Sequence, residues 1–171
     1  MAYCIEHSGD IGMNSTSKLR LAASIGICEL TGLVGAIFTA PSIPVWYAGL
    51  AKPSFSPQSW VFAPAWTFLF LIMGISFYII WEKGLEGKDV KRAMHVFGIQ
   101  LGLNLLWSIL FFGLRSPLYG LVDIVLLWAA IALTFSEFYS ISRNAGLLLV
   151  PYIAWVSFAL VLNLSLYLLN P

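Results

Sequence analysis

Residues Val61 to Trp81 read VFAPAWTFLFLIMGISFYIIW, a run without one charged side chain. A helix rises about 1.5 Å per residue, so about 20 apolar residues in a row cross the roughly 30 Å of a bilayer's hydrocarbon. A run of this length and purity reads as a membrane-spanning helix. Four more apolar stretches of similar length lie near Leu21 to Ala40, Met94 to Leu114, Leu118 to Phe138 and Leu147 to Leu168. The fold class that follows is an all-α membrane protein, a single bundle of five transmembrane helices. Composition points the same way: 60% of residues are hydrophobic and only 10% charged, where a soluble domain carries roughly 25% charge.

The first residues, 1–17, contain Glu6, Asp10, Gly9, Gly12 and a Ser/Asn cluster. They lack the apolar core of a signal peptide and are expected to be a disordered tail before a bundle occupying 18–171. Cys4 falls in that tail and Cys28 inside the first span, which makes neither a disulfide framework nor a paired-cysteine metal site. His7 and His95 are no better as metal ligands, so no metal is expected. A net charge of +1 leaves no footprint for nucleic acid. Of the nine Lys and Arg, seven (Lys18, Arg20, Lys83, Lys88, Lys91, Arg92 and Arg143) border the tail and the second and fourth loops. Lys52 and Arg115 stand on the other side. That bias predicts an integral, multi-pass protein with its N-terminus and loops two and four in the cytoplasm, in the plasma membrane if the source is prokaryotic.

The first loop, residues 41–58, differs from the rest. Pro41, Pro44, Pro53 and Pro57 fix backbone angles and withhold four amide donors, which predicts a stiff segment, neither helix nor sheet. Trp46, Tyr47 and Phe55 gain by leaving water. Two readings stand: an aromatic belt at the headgroups, or a lid over the mouth of the bundle. The belt suits Trp60 and Trp81, at the two ends of the second span.

Inside the spans, Trp66, Trp107, Trp128 and Trp155 lie deeper than anchoring tryptophans, and an indole N–H in hydrocarbon needs a partner. Pro64 and Pro151 are expected to loosen their helices beside Trp66 and Trp155. On the third span, Gln100, Asn104 and Trp107 are spaced i, i+4, i+7 and share a face. Gly98 and Gly102 lie on nearly the opposite face, a small-xxx-small pair that lets another helix approach closely. A pocket on one side and a helix interface on the other is one reading; helix packing on both sides is the other. Glu29, midway along the first span, is a functional hypothesis by default, whereas Asp123 also suits a helix N-terminus. No second acid or base lies at catalytic spacing on the Glu29 helix, so no catalytic residue is named.

WYAGLAKPSFSP, VFAPAWTFLFLIMGIS, QLGLNLLWSILFFG, the Asp in LVDIVLLW, and PYIAWVSFALVLN together resemble the translocator protein or tryptophan-rich sensory protein family. The resemblance covers almost all of the chain after the tail. It implies a five-helix homodimer with a pocket opening under the first loop. The ligands it implies are tetrapyrroles such as protoporphyrin IX and haem, other small apolar molecules and, in animal members, cholesterol, with no obligatory cofactor. Family pocket positions fall on Tyr47, Trp66, Asn104, Trp107, Trp155 and Ala159, and a dimer face on Gly98 and Gly102. The resemblance leaves three functions open: a tetrapyrrole receptor or carrier in stress or tetrapyrrole regulation, a light-dependent porphyrin-degrading enzyme, and a lipid or sterol transporter. The chain departs from the family at Phe55, where tryptophan is common, and at Gln58 after Pro57, which predicts a looser lid. Its end, LSLYLLNP, lacks the basic residue of the proposed cholesterol motif.

Overall fold

The computed structural model describes residues 14–84 and 86–170, and within them every regular element is helical. The elements are α1 (Ser15–Ser42), α2 (Phe62–Trp81), α3 (Lys88–Ser108), α4 (Pro117–Ile141), α5 (Arg143–Leu148) and α6 (Val150–Leu169). A single π-helical turn, Ile109–Gly113, extends α3, and α5 with α6 makes one span broken at Leu149. Five spans are therefore long and apolar enough to cross a membrane: Ser15–Ser42, Ser59–Trp81, Lys88–Gly113, Pro117–Ile141 and Arg143–Leu169.

Most spans run past the apolar windows that announce them, because a helix ends where its caps are, not where the hydrocarbon does. The Asn14 side chain accepts from Ser17 N at 2.7 Å and starts α1 at Ser15. Residues 15–17, read as tail, are thus helical; residues 1–13 lie outside the described residues. Ser17 is held further by hydrogen bonds to the Tyr78 hydroxyl and the Glu82 carboxylate, and Arg20 pairs with Glu82 at 3.1 Å. These contacts tie the start of α1 to the end of α2. At the same end, Arg92 on α3 donates to Glu137 on α4 at 2.8 Å.

The prolines act differently from expectation. Pro41 lies inside the last turn of α1, where its missing N–H removes one bond at most, and the Ser42 hydroxyl donates to the Phe112 carbonyl at 2.9 Å. Helical turning then persists through a 3₁₀ turn at Tyr47–Gly49. Much of the first loop is thus wound rather than extended. Pro64 and Pro151 occupy the first turns of α2 and α6, where the absent donor had little or no helical partner to lose.

The helices form a ring: α1 packs on α2 and α3, α3 on α4, α4 on α5 and α6, and α5 closes the circle on α2. Where α1 crosses α2 the backbones touch, since a Cβ on Gly74 would stand 2.6 Å from Ile25 Cα. The end bearing the ion pairs is solid, filled by a stack of Phe77 on Phe97 at 4.7 Å and Phe97 on Phe138 at 5.6 Å. Ser76 bonds across it to the Ala145 carbonyl at 2.7 Å. Between α2 and its neighbours α3 and α6 packing is sparse, and toward the first loop the ring opens around a void.

Candidate ligand-binding cavity

The void measures about 350 Å³ and is walled by α1, α2, α3 with its π turn, α6 and the first loop. Tyr47, Trp66, Asn104, Trp107, Trp155 and Ala159 all line it, from four separate segments of the chain. Gly98 and Gly102 do not: they are exposed on the outer side of α3, where an added Cβ meets nothing within 4 Å. Gln100, on the Asn104 face, is buried behind the wall rather than in it.

The roof is aromatic. A π turn accommodates one extra residue per turn, and here it leaves Phe111 and Phe112 both buried. Trp107 stacks on Phe111 at 5.1 Å and meets Phe112 edge-on at 5.7 Å. Trp46 packs edge-on against Phe111 at 5.3 Å, so it belongs to this cluster. Trp60, 69% exposed, has the surroundings a belt residue needs. Tyr47 points inward and is only 3% exposed, with Phe62 edge-on at 6.3 Å and the Lys52 ammonium 4.8 Å above its ring. Burial pushes the Tyr47 phenol above its ordinary pKa, so it stays a neutral donor. Its hydroxyl and that of Ser56 lie close together, yet both are buried without a well-formed hydrogen bond. The lid is also pinned: Ala51 exchanges two hydrogen bonds with the Asn170 side chain, each 3.0 Å, at the end of α6. That clamp and Lys52 offset the looseness expected from Phe55 and Gln58.

Hydrogen-bond direction sorts the polar groups into those in use and those available. The fully buried Tyr152 donates to Gln100 Oε1 at 2.9 Å and must therefore accept from Asn104 Nδ2, also at 2.9 Å. Asn104 is thereby turned so that its carbonyl oxygen has no partner among the described residues. Trp107 Nε1 donates to Asn163 Oδ1 at 3.2 Å, and Asn163 Nδ2 to the Pro117 carbonyl at 2.8 Å. Trp107 is thus a fixed wall. The indole N–H groups of Trp66 and Trp155 have no partner among the described residues, while their rings are held by Phe70 at 5.6 Å and Phe62 at 6.2 Å. Trp128, 39% exposed on α4, uses its N–H on Ser157 at 2.8 Å and takes no part in the cavity. The result is an apolar, aromatic chamber in which the Trp66 and Trp155 N–H groups and the Asn104 carbonyl, among others, have no partner among the described residues.

Sequence reasoning passed over Asn163, Tyr152 and the Phe111–Phe112 pair. Asn163 carried the signal that singled out Asn104, an amide inside an apolar run. The phenylalanines carried none, because only the π turn brings both inward. The cavity also opens sideways: Leu33, Ala36 and Ala40 of α1 and Ala63 and Thr67 of α2 line it and are exposed on the outer surface. Among the described residues no group of three or more His, Cys, Asp or Glu could hold a metal ion.

Comparison with known proteins agrees with this architecture. The TspO/MBR family model matches residues 24–168, from within α1 to the end of α6. The chain is 51% identical to the tryptophan-rich protein TspO of Archaeoglobus fulgidus over 89% of its own length and 97% of the relative's. It is 48% identical to the protein of the same name from Chlorobaculum tepidum, over 90% and 97%. The human translocator protein is 38% identical over 84% of this chain and 82% of the human one. With five membrane-spanning helices and a match through nearly all of them, this integral multi-pass protein belongs to the TspO/MBR family.

Proposed function

We propose that the protein is a non-enzymatic membrane receptor or carrier that holds tetrapyrroles, such as protoporphyrin IX or haem, and similar flat apolar ligands beneath its first loop. The observation that carries this reading is the set of unspent polar groups, Trp66 Nε1, Trp155 Nε1 and the Asn104 carbonyl, around one aromatic chamber. Aromatic walls with a few convergent polar groups are what a flat, mostly apolar ligand requires. The void lies at the small end of the range for ligand pockets, roughly 300–1,000 Å³. A macrocycle would extend through the gap between α1 and α2 or lift the lid.

By charge bias the solid end faces the cytoplasm and the lid faces outward. The exposed Gly98–Gly102 face of α3 is the proposed contact between two copies in a homodimer. Titrating the purified protein with protoporphyrin IX, in the dark and then under illumination, tests the central claim. Saturable quenching of tryptophan fluorescence with an unchanged pigment spectrum supports binding without chemistry. A new product band in light would make the protein an enzyme, and the absence of saturable quenching would remove the tetrapyrrole reading.

A further inference from the structure

Glu29 is the one acid on the cavity wall, and no Lys, Arg or His shares that wall among the described residues. It sits midway along α1, about fourteen residues or roughly 20 Å from either end, too far for its side chain to reach a headgroup. Cys28 beside it is buried in the core, and Glu29 is half-buried on the side where α1 lines the void. No described residue forms a hydrogen bond or ion pair with it. A carboxyl at that depth is costly unless something pairs with it.

The wall next to Glu29 is formed by a small-residue stretch of α1 and by the Phe70 ring. Gly32 and Ala36 follow on the same helical face, at i+3 and i+7. Gly32 carries no side chain because the Phe70 ring fills that place: a Cβ there would be 2.5 Å from Phe70 Cε2. With Phe70 closing the wall at Gly32, a flat body seated in the cavity beside Trp66 would have one edge at the side opening near Leu33 and Ala36. Glu29 stands at that edge.

Resting on the cavity's role as a ligand site, we propose that Glu29 is a recognition group that makes the side opening select flat apolar molecules bearing a basic amine. An amine and a carboxyl share one proton. Whether the pair is written as ammonium and carboxylate or as amine and acid, it is neutral overall, and it is far cheaper in hydrocarbon than a lone charge. A ligand without the amine leaves Glu29 unpaired. Tyr47, Trp66 and Asn104 would grip either ligand alike, whereas Glu29 tells them apart.

The test uses the full chain in nanodiscs with two probes, 1-pyrenemethylamine and 1-ethylpyrene, read by energy transfer from tryptophan and corrected against empty nanodiscs. The parent should bind the amine about tenfold or more tightly than the ethyl compound, the scale of one charge-assisted hydrogen bond. Glu29→Gln should lose about tenfold for the amine and keep its affinity for 1-ethylpyrene; Glu29→Asp should keep part of the preference. Equal preference in the parent and Glu29→Gln overturns the proposal, as does binding of both probes by the parent without preference. Equal loss of both probes in Glu29→Gln overturns it too, because the residue would then shape the cavity instead of reading the amine. If neither probe binds the parent, the cavity reading fails and this inference with it, an outcome that the neutral probe separates from the others.

Discussion

Trp66 and Trp107 both line the cavity, and replacing each with phenylalanine makes the same chemical change with opposite expected results. Trp107 Nε1 is committed to Asn163 Oδ1 at 3.2 Å, and Asn163 in turn holds the first turn of α4 through Pro117. Trp107→Phe leaves the Asn163 oxygen without its donor, at a cost of about 1–3 kcal/mol of stability. At roughly 2–4 °C per kcal/mol for a chain of this size, the thermal midpoint should fall by several degrees. Trp66 gives its N–H to no described residue, so Trp66→Phe costs the fold no hydrogen bond, only the smaller ring's packing against Phe70 and Tyr152. Its loss should appear in binding instead, about 1–2 kcal/mol or a factor of roughly 5–30 in affinity for protoporphyrin IX. Melting curves and quenching titrations on the two variants decide the matter. If Trp66→Phe binds like the parent, or if Trp107→Phe melts with the parent, the division into free and committed indoles is refuted.

Three other outcomes are expected. Tyr47→Ala and Asn170→Ala should each speed porphyrin release in stopped-flow displacement with a smaller change in association, since one removes the lid's inward ring and the other its clamp to α6; unchanged release in both would reduce the loop to a surface belt. Gly102→Leu should convert a detergent-solubilised dimer into monomer by light scattering while sparing ligand affinity, because its Cβ meets nothing in the single chain; a dimer that persists disproves the interface. Gly74→Ala should cost about 1–3 kcal/mol or more, because the new methyl group meets the α1 backbone at Ile25 Cα and not a movable side chain; a thermal midpoint equal to the parent's would show that the α1–α2 crossing is looser than described.

Five spans were legible in the sequence because each carries the reason for its own existence. Backbone groups in hydrocarbon must be satisfied within the segment, so a run such as Val61 to Trp81 specifies its helix whatever its neighbours do. The opposed faces of α3 were legible on the same local ground, since 100° per residue separates Gln100 and Asn104 from Gly98 and Gly102. The candidate site residues were legible by chemistry: amides and indoles deep in apolar runs, and Tyr47 in a proline-stiffened aromatic loop, to which the family resemblance added Ala159. What each polar group does was not legible, because it depends on a partner from another helix. Only the folded bundle assigns Trp107 to Asn163 and turns Asn104 through Tyr152 and Gln100, leaving Trp66 and Trp155 without a partner among the described residues. Only there does Pro41 become part of α1, because Ser42 finds the Phe112 carbonyl on the π turn. Glu29 stood out from the sequence as an acid at the wrong depth; that it lines a cavity with no base beside it among the described residues follows from the approach of α1 to α2, a contact between segments that one-dimensional periodicity does not contain.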